Sequence, residues 1–333
     1  MCTCNSTHMH KSQLTVYERS RRRDPTRTLT LRRNFARNFS RRIRTVRGMI
    51  RHAVVTQDVF DLKQTRPTVM QDFKLTVNVD SGLNPKQFRG MSIFEKIRQF
   101  MRWIHRIISR VVFGTEDFED EQNRKDKSWM ANYINQAYKR GIKHANDDLQ
   151  ENGYDVPTIQ SRGGLDAIAR SLGYASVAAL LMSKIVDKIK EAATAAKNGI
   201  QDLLANALEA GDSAGVIASK LNHIMGGGKT KQRIRDSVRG VVGRFKSFFN
   251  RTQTTARTET VNAHHKGTYK EYKENGAEKV QVYAELQTAG DDKVCPDCLA
   301  LEEQGPMPIE QTQDLIPVHP GCRCTLKVVP PSS

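Results

Sequence analysis

No apolar run in the 333 residues approaches the roughly eighteen needed to span a bilayer, and aromatic residues make up only 7 %. Apolar residues reach 38 % in all, so modest cores joined by solvated helices are expected, and two or three folding units rather than one large interior. The opening MCTCNSTHMHKSQ lacks the apolar centre of a secretory signal, which points to synthesis in a reducing cytosol. Catalytic signatures are missing too. There is no HExxH, nor the HxE partner of a zinc deaminase. GGGKT at residues 226–230 imitates the tail of a phosphate-binding loop, but His223 stands where that loop needs its first glycine. No enzyme is expected.

Acid is almost missing from residues 19–51, which hold thirteen Arg against Asp24 alone, in a chain of formal net charge +17. Arg33, Arg37, Arg41, Arg44, Arg47 and Arg51 recur at the helical period and share one face. Phe35, Phe39, Ile43, Val46 and Ile50 form a separate stripe. This predicts an amphipathic helix that packs on protein while its guanidiniums face a polyanion, DNA above all; a merely solvated face is the plainer reading. MSIFEKIRQFMRWIHRIISRVVF repeats the design. Its apolar face runs from Ile93 and Phe94 to Val111 and Val112, opposite Arg98, Arg102, Arg106 and Arg110. Such a stripe is ordinarily buried in a bundle, though it also suits a partner's groove or a membrane surface.

The rest of the chain divides by composition. HAVVTQDVF and FKLTVNVD (residues 73–80) are the best strand candidates before residue 90. Helices are expected over residues 128–150, from Leu165 to about Asn206, on either side of a turn at Asp212 and Ser213, and through residues 232–276. The resulting division is a basic N-terminal arm with its Arg helix (1–90), a helical segment (91–152), a linker (153–164), a helical domain (165–265) and a β unit (266–329). Val280, Val282 and Ala284, then RCTLKVV, alternate as strands do. The adjacent His264 and His265 cannot face one site from a helix and read as solvated or capping residues.

Cysteine is absent from residue 5 to residue 294, then appears four times in VCPDCLALEEQGPMPIEQTQDLIPVHPGCRC, residues 294–324. Cys295-Pro-Asp-Cys298 is a two-residue knuckle whose thiolates converge, and His319-Pro-Gly-Cys322 repeats it with an imidazole first. The spacing points to one structural Zn2+ held by Cys295, Cys298, His319 and Cys322, with Cys324 as the alternate ligand. Disulfides or unliganded thiols are the competing readings. Cys2, Cys4, His8 and His10 form a weaker second cluster at a chain end. The fold class expected is α+β: mostly α-helical, with a small zinc-stabilised C-terminal β unit and an extended basic N-terminal region.

The order ARTE (residues 256–259), D-x-x-V-C-x-x-C from Asp291, and a closing HPxCRC resembles the Mu F-like head morphogenesis family of tailed bacteriophages, over about Leu203 to Val329. The resemblance implies a minor capsid protein of the virion, made in the bacterial cytoplasm and placed inside the capsid at the portal vertex. The partners it implies are the portal protein, the major capsid protein and packaged double-stranded DNA, with several copies around the portal; the second basic helix adds a membrane during ejection. Some proteins of this family carry toxin domains beyond the zinc unit, and the nine residues after Cys324 leave no room for one. The Arg helix and knuckles alone would equally suit a cellular nucleic-acid-binding zinc protein.

Overall fold

In the computed structural model the described residues are 24–61, 82–114, 129–224, 239–276 and 282–329. They are mostly helical, with one three-stranded sheet near the C-terminus. The chain forms two units of discontinuous segments: residues 1–33, 133–178 and 257–333 in the first, and 34–132 with 179–256 in the second.

The second unit is built from the two basic amphipathic helices. In α1 (Leu29–Val55) the stripe Phe35, Phe39, Ile43, Val46 and Ile50 is buried throughout, which is what sets the helix's orientation. Arg37, Arg41 and Arg44 remain exposed on the other face. Phe35 meets Trp129 edge-on, with ring centroids 5.5 Å apart and an interplanar angle of 84°. α2 (Ile93–Ile107) starts at a capping box in which Ser92 and Glu95 bond each other's backbone N–H, satisfying two orphan donors. Its last turns loosen into a π-helical segment, Ile108–Phe113. The carbonyls of Val111 and Val112 there accept from Arg42 Nη1 (2.7 Å) and Trp129 Nε1 (2.9 Å), so the irregular end is bonded although buried.

Two expectations change here. HAVV is not a strand: α1 continues to Val55, and Ala53 and Val54 extend its buried face beyond Met49 and Ile50. β-branched residues at helical spacing against a core outweigh their strand preference. The α2 stripe is core from Ile97 to Val112, not a surface for a partner, while its first two members, Ile93 and Phe94, are 52 % and 83 % exposed. FKLTVNVD, GGGKT, Val280 and the N-terminal Cys/His cluster lie outside the described residues.

The first unit turns on α3 (Trp129–Glu151) and α7 (Arg239–Gly276), whose backbones nearly touch where they cross. A Cβ on Gly141 would sit 2.0 Å from the carbonyl oxygen of His264, and one on Gly267 would sit 2.3 Å from that of Tyr138. Thr268 Oγ1 donates to Gly141 O across the contact (3.2 Å). Short α4 (Leu165–Ser171) and the start of α5 (Tyr174–Glu209) cover Tyr138 and Ile142. α5 ends at Glu209, and α6 (Ala214–Ile224) follows the expected turn, where Asp212 pairs with Lys220.

The sheet has the order β2-β1-β3, all antiparallel: β1 is Tyr283–Gln287, β2 Met307–Pro308 and β3 Thr325–Val328. Ala284, Leu286, Leu326 and Val328 bury one face against Tyr272, Ala145 and Leu149 of the two long helices. The outer edge of β3 is closed by side chains. His144 Nε2 bonds Leu326 O (3.0 Å), and Asp148 Oδ2 accepts from Val328 N (2.7 Å). Four residues of helix rise about 6 Å and two of strand about 6.7 Å, so an i, i+4 pair matches alternate strand residues. Asp148 also accepts from Tyr272 OH at 2.5 Å, tying α3, α7 and β3 at one carboxylate.

Candidate metal centre

The two knuckles owe their shape to local sequence. Cys295 is the N-cap of α8 (Pro296–Glu303), and its sulfur accepts the N–H of Cys298 at 3.3 Å; Pro296 occupies the first turn, where a missing N–H costs nothing. In the second knuckle Cys322 N donates to His319 O (3.1 Å) around Pro320 and Gly321. Gly321 has φ 81°, so Pro then a left-handed Gly fill the central positions as a type II turn requires.

These turns bring five donors together as two overlapping groups: Cys295, Cys298 and His319, then Cys298, Cys322 and Cys324, with ligand atoms within 4.8 Å of one another in each. Cys298 belongs to both. Its sulfur lies 4.0 Å from that of Cys322, close to the roughly 3.8 Å that two thiolates adopt at 2.3 Å on a tetrahedral ion. His319 Nδ1 must donate to Pro320 O (3.0 Å), since a carbonyl only accepts, and this leaves the Nε2 lone pair free for a metal. No disulfide joins these cysteines. Either group could hold a metal ion, and the four residues expected for zinc are divided between them: Cys295, Cys298 and His319 in one, Cys298 and Cys322 with Cys324 in the other.

Electrostatics points the same way. Cys322 is the most acidic of the inner sulfurs, because the Cys324 thiol donates to it, while that same bond drives Cys324 upward and burial drives Cys298 upward. Arg323, between Cys322 and Cys324, grips Asp291 with two bonds of 2.6 and 2.5 Å, and Asp291 is held at a pKa of about 2 chiefly by that hydrogen bonding. Arg32 at the start of α1 is buried and bonds Asp24 (2.5 Å).

Several supporting residues went unmarked in the sequence. Thr258, inside ARTE, accepts the N–H of Gly321 at 3.0 Å, so the helix positions the second knuckle through one hydroxyl. Glu302 accepts from both Thr288 N (2.9 Å) and Thr288 Oγ1 (2.7 Å), fastening α8 to the end of β1. Their only signal is the fixed order of ARTE, the aspartate and the two knuckles. His264 and His265 correct the expectation of a solvated role: both are buried in α7. The His264 ring lies 5.5 Å from that of His144, and its Nε2 has no hydrogen-bond partner among the described residues, while His265 Nε2 bonds Gln313 O at 3.2 Å.

Residues 198–327 match the family described as Phage Mu protein F like protein. The Mu F-like segment thus holds α6, α7, β1, β2, all but the last residue of β3 and both knuckles, in line with the resemblance read from the sequence. No curated protein and no solved structure matches the chain. His144 and Asp148, which close the β3 edge, lie outside the Mu F-like segment, as do the Arg rows of α1 and α2. In α1 Arg33, Arg37, Arg41 and Arg44 are exposed, and Arg47 and Arg51 half-buried. No single described helix is long and apolar enough to cross a membrane.

Proposed function

We propose that this is a minor capsid protein of a phage head, seated at the portal vertex, with contacts to the portal protein, the major capsid protein and packaged DNA. The observation that carries the reading is the convergence of the two knuckles inside a segment that matches the Mu F-like family. Sulfur and imidazole donors favour zinc, bound by Cys295, Cys298, His319 and Cys322, with Cys324 as the alternate. Four protein ligands leave no open position, so such an ion stabilises the fold and does no chemistry. The face from Arg33 to Arg51 turns toward DNA phosphates. Burial, then the neighbouring Arg44 and Arg51, lower the pKa of Arg47, and a polyanion would relieve that repulsion.

The test is to quantify the protein in purified particles and reconstruct the unique vertex. A low, symmetry-related copy number at that vertex is expected. Even distribution over the shell, or absence from the particle, overturns the reading. Sequence-specific binding to cellular DNA would instead favour a host zinc protein.

A further inference from the structure

The exposed face of α2 was not part of the DNA-facing surface just described. It forms one wall of an open groove of about 1080 Å³ within the second unit. Arg98, Arg102 and Arg106 stand along that wall at i, i+4 and i+8, and all three are exposed. The opposite wall is α5, which contributes Lys197 and Gln201, again four residues apart. Ile97 and Met101 make the apolar floor. At one end the ring of Phe94 is 83 % exposed.

Charge in the groove is one-sided. Among the described lining residues its only carboxylate is Glu95, whose Oε2 already accepts from Ser92 N (2.9 Å) and Ser92 Oγ (2.8 Å) in the capping box. Among the described residues no acidic side chain forms a salt bridge with Arg98, Arg102 or Arg106. Guanidiniums repeated at about 6 Å steps along a helix repel one another unless a linear anion runs beside them. A membrane is the poorer match, because the apolar stripe that would enter lipid is spent on the core. A basic track ending in a bare aromatic ring is the arrangement by which proteins hold single-stranded nucleic acid: phosphates on the cations, a base on the ring.

We infer that the groove between α2 and α5 binds single-stranded nucleic acid, its backbone along Arg98, Arg102, Arg106 and Lys197 and a base stacked on Phe94. This site is separate from the α1 row and does not depend on the capsid reading.

Fluorescence anisotropy on the full chain tests it, with a twenty-residue oligothymidylate, a twenty-base-pair duplex and anionic phosphatidylglycerol vesicles as probes. R98Q/R102Q/R106Q should weaken oligothymidylate binding and reduce the log–log salt slope by about 2. Phe94→Ala should weaken it at least about five-fold while leaving the duplex unaffected. R37Q/R41Q/R44Q should spare this site, so failure of the α1 proposal is read separately. All substitutions are at exposed positions, and circular dichroism confirms that each variant is folded. Unchanged affinity and slope in the α2 triple variant overturn the inference. So does a Phe94→Ala protein that binds oligothymidylate as the wild type does, or a triple variant that loses vesicles but keeps the oligonucleotide.

Discussion

At the scale of single residues, the candidate metal centre is braced by partners outside its donor groups. Arg323 cannot leave Asp291 without releasing the loop before the first knuckle from the strand after the second. Asp291→Asn keeps the shape but loses the charge that fixes Arg323. Metal retention, measured by competition with a chelator, should fall about ten- to a hundred-fold, as for other residues that orient ligands. Equal retention would show the pair to be incidental to the site. The buried histidines make a second residue-scale case. Burial is the main cause that lowers both, with His144, His265, Arg32 and Arg140 acting on His264, and Lys266 and Asp314 with opposite signs on His265. A folded pKa below the unfolded value means a contribution fully present above about pH 6.5 and lost as pH falls toward the folded pKa, about 4 for His265. The urea midpoint should therefore drop between pH 7 and pH 5. His264→Phe, which removes an unpaired buried nitrogen, should flatten that dependence without loss of stability at pH 7.

Among elements, the crossing of α3 and α7 is the least forgiving contact. Gly141→Ala or Gly267→Ala would drive a methyl into a backbone carbonyl, which cannot swing aside as a side-chain tip can. Each should cost about 3 kcal/mol or more in chemical denaturation. Gly215→Ala in α6 meets nothing within 4 Å and should raise stability by about 0.5 kcal/mol. If all three behave alike, the helices are not as close as described. The elements themselves were largely legible in the sequence. Five apolar residues at helical spacing predicted the buried face of α1, and the two-residue knuckles predicted where the sulfurs would meet. What could not be read was pairing between distant segments. Nothing in KHANDDLQ announces that His144 and Asp148 will serve β3, because an i, i+4 polar pair on a helix has the same appearance when solvated. Likewise HAVV has strand residues but lies on a helix whose core face they happen to continue.

For the whole molecule, the sheet beside the candidate metal centre is not a free-standing piece. Its core includes Ala145, Leu149 and Val156 from the segment around α3, far earlier in the chain. A fragment of residues 266–333 should therefore stay unfolded even with zinc added, whereas the full chain should bind about one ion and lose thermal stability when it is removed. A folded, zinc-loaded fragment would show that the cluster suffices by itself. Composition pointed toward this dependence, since a chain with 38 % apolar residues has little to spare for a separate interior. The partner segments could not be named from composition.

The i, i+4 pair on α3 also bears on what the protein avoids. By occupying the free hydrogen-bonding side of β3, His144 and Asp148 make the helix a surrogate fourth strand. The opposite margin is β2, only Met307–Pro308, and Pro308 has no N–H to offer an incoming chain. Both margins of the sheet are thus barred to strand exchange between neighbours. In the proposed role, copies crowded around one vertex would stand within reach of one another for the life of a particle, and sheets left open there would polymerise. Asp148→Ala should expose this hazard, with light scattering of concentrated protein rising while the dilute protein stays folded.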